Sequence, residues 1–372
     1  MRIAYISNSI IPSRTANSIH IMKMCSAFVM NGNEVFLIIP DRLSETELDV
    51  TDEFDFYGVK KNFKIIKVPY NSLKYYKTIK FALDASKIVD ELKPEQVYGR
   101  DLISCYFCSN KINTIFEAHK PMNNFIKKII YNRIQNKKKY VKTVVISDAL
   151  KQIIIKEQKV KSLNILVSHD AADQINDFKG ILAPSKKIRV GYFGHLYKGR
   201  GIDIIIDSAQ KLKNIEFHIV GGNENDIGYW RRQVKSQNIL FHGFVSPKDV
   251  YMYRNSCDIL LAPYQKEVSI SGGCGNTVDY MSPLKIFEYM SSKKPIISSN
   301  LPVLNEVLNE QNSILVDPED VDEWVTAITN LLNEDLRNKI ASKAYSDFQK
   351  KYTWEKRALR LITKESYNQN KL

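Results

Sequence analysis

The stretch SGGCGNTVDYMSPLKIFEYMSSKKPII, residues 271–297, gathers the side chains best suited to chemistry in this chain. A glycine-rich loop runs into Ser282-Pro283, which reads as a helix start. Ser282 can cap that helix, and proline suits its first turn because its missing N–H would have been unpaired anyway. The N–H groups around Ser282 and Leu284 then point where an anion can lie, favoured by the helix dipole. Lys285 and Glu288 follow at i and i+3 and share a face. Lysine can neutralise a phosphate, and glutamate can accept two hydroxyl hydrogen bonds, as a ribose presents. The plainer alternative is an ion pair on a helix surface.

A second loop, GYFGHLYKGRGID at 191–203, is rich in glycine and basic residues, with Asp203 near a helix start. Its exposed N–H groups, with Lys198 and Arg200, can hold a diphosphate, Arg200 offering paired contacts to phosphate oxygens. The alternative is a basic surface turn, since G-x-x-G alone says little. Both loops follow strands of the same half of the chain, as one nucleotide-diphosphate site requires. In the other half, EAHK at 117–120 ends a strand with His119 ahead of Pro121.

Positioning such loops needs a sheet behind them. Apolar runs at 2–7, 34–40, 64–70, 96–100, 114–118 and 143–147 read as strands, with amphipathic helices such as 18–32 between several of them. Residues 170–187 loosen into a connection. The alternation then restarts with strands at 189–195, 216–222, 239–244, 258–264, 294–299 and 313–317. Strand and helix in alternation imply parallel sheets with right-handed crossovers. The expectation is an α/β chain of two Rossmann-like β/α/β domains facing across a cleft. The domains are 1–180 and 185–345, and a helical segment, 346–372, packs back on the first. Ligands of such sheets bind at the carboxyl ends of the strands.

The 372 residues carry a net charge of +13, with 44% hydrophobic and 26% charged residues, an ordinary globular composition. No apolar run approaches the ~18 residues that span a bilayer. MRIAYISNSI reads as a buried strand, so the expected location is cytoplasmic, at most peripheral to the inner face of the cell membrane. Residues 1–184 hold 28 Lys+Arg against 19 Asp+Glu, and the excess concentrates in FIKKIIYNRIQNKKKYVK, 125–142. Ile126, Ile129, Ile130, Ile134 and Val141 recur at helical spacing, predicting one basic amphipathic helix. It is either a solvated helix face or a dock for anionic lipid. Nucleic acid ranks last, because no nucleic-acid module accompanies the charge. Cys105 and Cys108 form a lone C-x-x-C without a second ligand pair, which favours core packing over metal. Asp320-Val321-Asp322 reads as a helix cap.

Taken in order, PSRTANSIH, YGRD, EAHK, GYFGHLYKGRG, FHGFV, SPLKIFEYMSSKKPIISSNLP and YTWEKRA resemble glycosyltransferase family 4, retaining sugar-nucleotide transferases with a GT-B fold. The resemblance spans nearly the whole chain and implies roles for particular residues. Glu288 matches the second Glu of the family's E-x7-E motif, which holds the ribose. Arg200 matches the basic residue on the donor diphosphate, with Lys198 nearby. His119 matches a histidine that touches the donor sugar. Gly243, Phe244 and Val245 match the segment whose backbone reads the base, beside Gly221 and Gly222. Gly272, Gly273 and Gly275 fall in the loop near the donor sugar.

Two departures matter. Tyr280 stands where the first Glu of E-x7-E is expected, and His195 where many members carry a basic phosphate ligand. Lys285 is the candidate to compensate, and His119, Arg200 and Lys285 are the expected catalytic residues. The implied reaction moves a sugar with retention from a nucleotide-diphosphate donor, UDP-sugar first and GDP-sugar next, to an acceptor hydroxyl. The acceptor is a glycan or lipid-linked glycan of bacterial-type surface polysaccharide assembly. Neither a prosthetic group nor a divalent metal is implied. The alternatives are a GT-B epimerase or phosphorylase, or a non-catalytic basic protein binding nucleic acid or membrane.

Overall fold

The computed structural model describes residues 1–47, 50–70, 76–269 and 276–362. The chain forms two compact units. Unit 1 is Met1–His169 with the stretch from Trp354 onward, and unit 2 is Asp170–Thr353.

Unit 1 alternates β1 (Arg2–Ile6), α1 (Ala16–Met30), β2 (Glu34–Asp41), α2 (Glu53–Tyr57), β3 (Lys64–Pro69), α3 (Lys77–Leu92) and β4 (Gln96–Gly99). It continues with α4 (Leu102–Cys108), β5 (Asn113–Ala118), α5 (Phe125–Ile134), β6 (Tyr140–Val145), α6 (Asp148–Gln158) and β7 (Ile165–Val167). All seven strands are parallel, in the order β3-β2-β1-β4-β5-β6-β7. Strands such as β1 are buried on both faces, which is why they read as unbroken apolar runs. Side-chain caps fix several helix starts: Thr15 accepts from the Ser18 N–H, Asp101 from Ser104, and Asn124 from Lys127.

Unit 2 runs β8 (Arg189–Phe193), α7 (Ile202–Lys211), β9 (Glu216–Val220), α8 (Glu224–Arg231), β10 (Ile239–Gly243), α9 (Val250–Asn255) and β11 (Ile259–Ala262). Then come α10 (Leu284–Ser291), β12 (Ile296–Ser299), β13 (Ile314–Val316), α11 (Val321–Asn330) and α12 (Glu334–Lys351). Its parallel sheet has the order β10-β9-β8-β11-β12-β13. Phe217, Ile219, Ile259 and Leu261 are among the residues buried in its core, each contributing roughly 1.5–3 kcal/mol relative to exposure. Asp320 caps α11, accepting from the N–H groups of Asp322 and Glu323, so the D-x-D is a helix start. The final helix, α13 (Trp354–Ile362), returns to unit 1 and packs on α1.

The unit boundaries lie elsewhere than at 180/185 and 345/346. Ala172 already pairs with Thr353 in a parallel bridge, and the Asn255 amide donates to the Asp177 carbonyl, so residues from Asp170 on are held by unit 2. The basic segment 125–142 is not one helix. α5 stops at Ile134, the chain turns through Asn136–Lys139, and Val141 and Lys142 belong to β6. The isoleucine period fits a helix only as far as Ile134; beyond it Lys142–Val145 form a strand buried on both faces. Lys142 is buried, which pushes its amine down to about 8. β7 was not expected, because its three residues are too short to show a pattern. Cys25, Cys105, Cys108 and Cys257 are buried free thiols.

Candidate active site

In unit 2 the strand order reverses between β8 and β11, and the loops leaving their carboxyl ends flank the place where open α/β sheets bind ligands. The loop after β8 is a chain of tight approaches. Gly199 has φ +83°, and a Cβ there would lie 1.8 Å from the Glu267 carbonyl oxygen, so no other residue fits without moving backbone. Gly194, at φ +136°, lies against the end of Lys285: a Cβ would sit 3.2 Å from Nζ.

Lys285 does not form the surface ion pair with Glu288 that its spacing allows. It is buried at the first turn of α10, with Nζ 3.7 Å from the centroid of the Tyr192 ring and 5.1 Å from that of Tyr264. Among the described residues it makes neither a hydrogen bond nor an ion pair. Burial, and then the charge of Arg200, push its amine well below the usual lysine range, against the pull of Glu288. Arg200 stacks over Tyr264 at 5.3 Å and donates from Nη2 to the Ser269 carbonyl at 3.4 Å. Its Nε is buried without a partner among the described residues. Two cations therefore share one corner of unit 2, lined by aromatic faces and the glycine loop.

The helix start differs from expectation. Pro283 is the N-cap of α10, and Ser282 turns away to accept from the Asp170 N–H at 3.0 Å. The first-turn N–H groups of Leu284 and Lys285 have no intrahelical acceptor and no side-chain cap. Glu288 pairs with Arg254 of α9, Oε2 to Nη1 at 3.3 Å, and Arg254 Nε also donates to Ser292 Oγ at 3.2 Å. Arg254 is almost fully buried, and nothing in its sequence context marks it. Tyr192 and Tyr264 were missed for the same reason: each is an aromatic in an apolar strand or just past one.

Lys198 is exposed, and its carbonyl accepts from Ser269 Oγ at 2.8 Å. It lines a cavity of about 520 Å³ with Tyr197, Asp203, Asp226 and Trp230, which includes neither Arg200 nor Lys285. His195 stacks on Tyr197 with centroids 4.8 Å apart. Gly194, Gly221 and Gly243 meet at the ends of three adjacent strands: Gly194 N–H donates to Val220, and Gly221 N–H to Gly243. Phe244, 37% exposed, and Val245 follow in that turn. Tyr280 is in a turn whose N–H bonds Thr277, and burial, then Asp279, raise its hydroxyl pKa. Gly272, Gly273 and Gly275 lie outside the described residues.

His119 belongs to unit 1, just past β5. Its Nε2 lies 2.9 Å from Glu117 Oε1. The sequence shows the E-x-H spacing but not what else reaches Glu117. Arg357 of α13 and His20 of α1 also contact this carboxylate, Arg357 Nη2 at 2.6 Å and His20 Nε2 at 3.3 Å. Glu117 and Arg357 are both fully buried side chains. Burial would raise the Glu117 pKa, but Arg357, His20 and His119 bring it well below the usual range. Burial first, then Arg100, push the His119 imidazole down to about 4, so it is neutral at pH 7.

With these sheets and sites in view, comparison with solved structures defines the architecture. A glycosyltransferase of Rickettsia africae ESF-5 superposes with a TM-score of 0.72 at 15% identity, over 100% of this chain and 98% of the other. HepE of Anabaena, solved in complex with UDP and glucose, gives 0.72 at 14% identity, over 98% and 99%. The fold is that of the GT-B glycosyltransferases. Residues 187–334 match the family model described as Glycosyl transferases group 1. WclY of Escherichia coli, an O-antigen biosynthesis glycosyltransferase, is 26% identical over 179 residues, 47% of this chain and 45% of WclY. The curated relatives are matched over only 30 to 45% of their length.

Proposed function

We propose that this chain is a retaining glycosyltransferase that moves a sugar from a nucleotide-diphosphate donor to an acceptor hydroxyl without a divalent metal. The observation that carries this reading is the pair Lys285–Arg200: two cations, one buried and lacking a carboxylate partner among the described residues, beside the open N-terminus of α10. Such a corner suits the negative charge that develops on a leaving diphosphate, in surroundings where electrostatic stabilisation is strong. Glu288 is then available to a ribose on its exposed side while Arg254 holds the other. His119 meets the donor sugar, and the turn Gly243–Val245 meets the base.

A UDP-sugar is the first donor to test, supported by the UDP and glucose seen with HepE. Surface glycan assembly is supported by the O-antigen role printed for WclY. For the acceptor we propose a lipid-linked glycan. Phe125 and Ile126, at the start of α5, are 77% and 67% exposed beside Lys127 and Lys128, which suits contact with an anionic membrane surface. Among the described residues no helix is long and apolar enough to cross a membrane.

The direct experiment is a thermal-shift series with UDP, GDP, ADP and TDP on the wild type and on Arg200→Ala, followed by transfer from the stabilising nucleotide's sugars to an added acceptor. A selective shift for one nucleotide, lost in the variant, is expected. Equal response to all four, or to none, refutes the donor site.

A further inference from the structure

In unit 1, side chains from β4, α1, α13 and the loop after β5 converge on a single carboxylate of β5. Glu117 accepts on Oε1 from Arg357 Nη2 at 2.6 Å and on the same oxygen from His119 Nε2 at 2.9 Å. Tyr98 donates its hydroxyl to Oε2 at 2.7 Å, and His20 Nε2 lies 3.4 Å from that oxygen. Arg357 is itself pinned: Nε donates to the His169 carbonyl at 2.9 Å and Nη2 to that of Ser168 at 3.0 Å. The arrangement is more than an ion pair that ties α13 down, because its carboxylate also faces the one imidazole of the group that reaches the surface. His119 is 20% exposed in its side chain, against 0% for Glu117 and Arg357 and 1% for His20.

An ionised carboxylate only accepts, so the imidazole nitrogen facing it must carry the proton. His119 is neutral at pH 7 and has one N–H. With Nε2–H spent on Glu117, Nδ1 keeps a lone pair, and it makes no hydrogen bond among the described residues. We infer that Glu117, anchored by Arg357 of α13, is the positioning residue that holds His119 with Nε2–H inward and the Nδ1 lone pair outward, so that His119 meets a substrate hydroxyl as an acceptor. The inference deepens the transferase reading and rests on it for the identity of that hydroxyl, a sugar's. A third group that orients a histidine is the general device of such sites, and a misplacement of about 1 Å can cost roughly 10²-fold in rate.

The test uses the full chain labelled with ¹⁵N-histidine and long-range ¹H–¹⁵N correlation at pH 7, with His119 assigned by its loss in His119→Gln. The wild type is expected to show His119 as a neutral Nε2–H tautomer whose proton exchanges slowly. Glu117→Asp keeps the charge that Arg357 needs but withdraws the oxygens by one methylene. In that variant the His119 proton should exchange fast and kcat should fall roughly 10²-fold, while the dissociation constant for UDP, read in unit 2, stays within about twofold. If Glu117→Asp does not fold, Glu117→Gln keeps the shape and should shift the same proton upfield. A wild-type His119 that is charged or protonated at Nδ1 overturns the inference. So does a folded Glu117→Asp protein with wild-type tautomer and kcat. If the tautomer is as expected yet His119→Gln transfers sugar at the wild-type rate, it is the role of His119 in transfer that fails, and the hydrogen-bond assignment stands.

Discussion

Lys285 holds its ammonium 3.7 Å from the centroid of the Tyr192 ring, and no carboxylate among the described residues pairs with it. A cation–π contact contributes about 2 kcal/mol when desolvated, whereas burying an ion costs several. The ring does not offset the burial. Lys285→Met is therefore expected to stabilise the nucleotide-free protein by about 1–3 kcal/mol. It should also weaken UDP binding roughly 10- to 100-fold, the loss of a hydrogen bond to a charged group. Urea unfolding and calorimetric titration check both signs; a variant that is less stable and binds UDP normally refutes the role given to this amine.

Glu288 has a different dependent. Arg254, with a side chain only 6% exposed, relies on it for its carboxylate contact, so Glu288→Ala strands a buried guanidinium. The expected loss is about 1–3 kcal/mol in chemical denaturation. Glu288→Gln should recover part of that stability while sugar transfer remains impaired. Full transfer by the Gln variant would show that the carboxylate serves Arg254 alone.

Gly199 tests the loop after β8. A methyl group there meets the Glu267 carbonyl at 1.8 Å, at a φ of +83° that alanine rarely adopts. Gly199→Ala should cost about 1–3 kcal/mol of strain or shift the loop, abolishing stabilisation by UDP in thermal melts. Substitution of Gly228, whose nearest atom to an added Cβ is 3.9 Å away, is the neutral control.

Acid should act through two histidines, the buried His218 and the part-buried His119. His119 and His218 are each pushed down to about 4, in both cases by burial first. Arg100, Glu117 and His20 surround the former; His242, Arg189 and Glu216 the latter. Because their folded-state values lie below the unfolded value of about 6.5, the unfolded chain takes up protons first as pH falls. Their contribution is whole above pH ~6.5 and is lost on descending toward pH 4. Unfolding free energies at pH 7 and 4.5 should show this fall, and His218→Gln should make it shallower. An unchanged slope in the variant removes His218 from the account.

At the membrane, replacing Phe125 and Ile126 together by serine should reduce sedimentation with anionic vesicles without altering UDP binding. Neutralising Lys127 and Lys128 should have a similar effect at low salt and little at high salt. Binding that both variants retain would exclude α5 as the docking surface.

The alternation of strands and helices was legible because parallel strands buried on both faces leave continuous apolar runs, as in β1 and β11. The glycine-rich loop after β8 was legible too, since backbone approaches as tight as that at Gly199 admit no other residue. What escaped depends on contacts distant in sequence. Isoleucine spacing carried the helix past Ile134 because Val141 fits a helix and a strand equally well on period alone. Ser282 has every local feature of a cap, yet its hydroxyl is taken by the Asp170 N–H, 112 residues away. The partners of Glu117 are less visible still, because Arg357 lies 240 residues along the chain and reads as one more basic residue of a terminal helix.

The return of α13 to unit 1 sets an order of events during synthesis. A chain emerging from the ribosome exposes β1 through β7 first, then all of unit 2, and only afterwards Arg357. Until that moment Glu117 has no guanidinium beside it and keeps only its contacts with Tyr98, His20 and His119. Unit 2 is contiguous and can close as it emerges, whereas unit 1 waits for residues on the far side of it. A product that stops short of Trp354, whether from proteolysis or an early stop, would carry the complete cation corner of Lys285 and Arg200. On the proposed reading it would keep the residues assigned to the nucleotide while Glu117, beside His119, lacked its guanidinium partner.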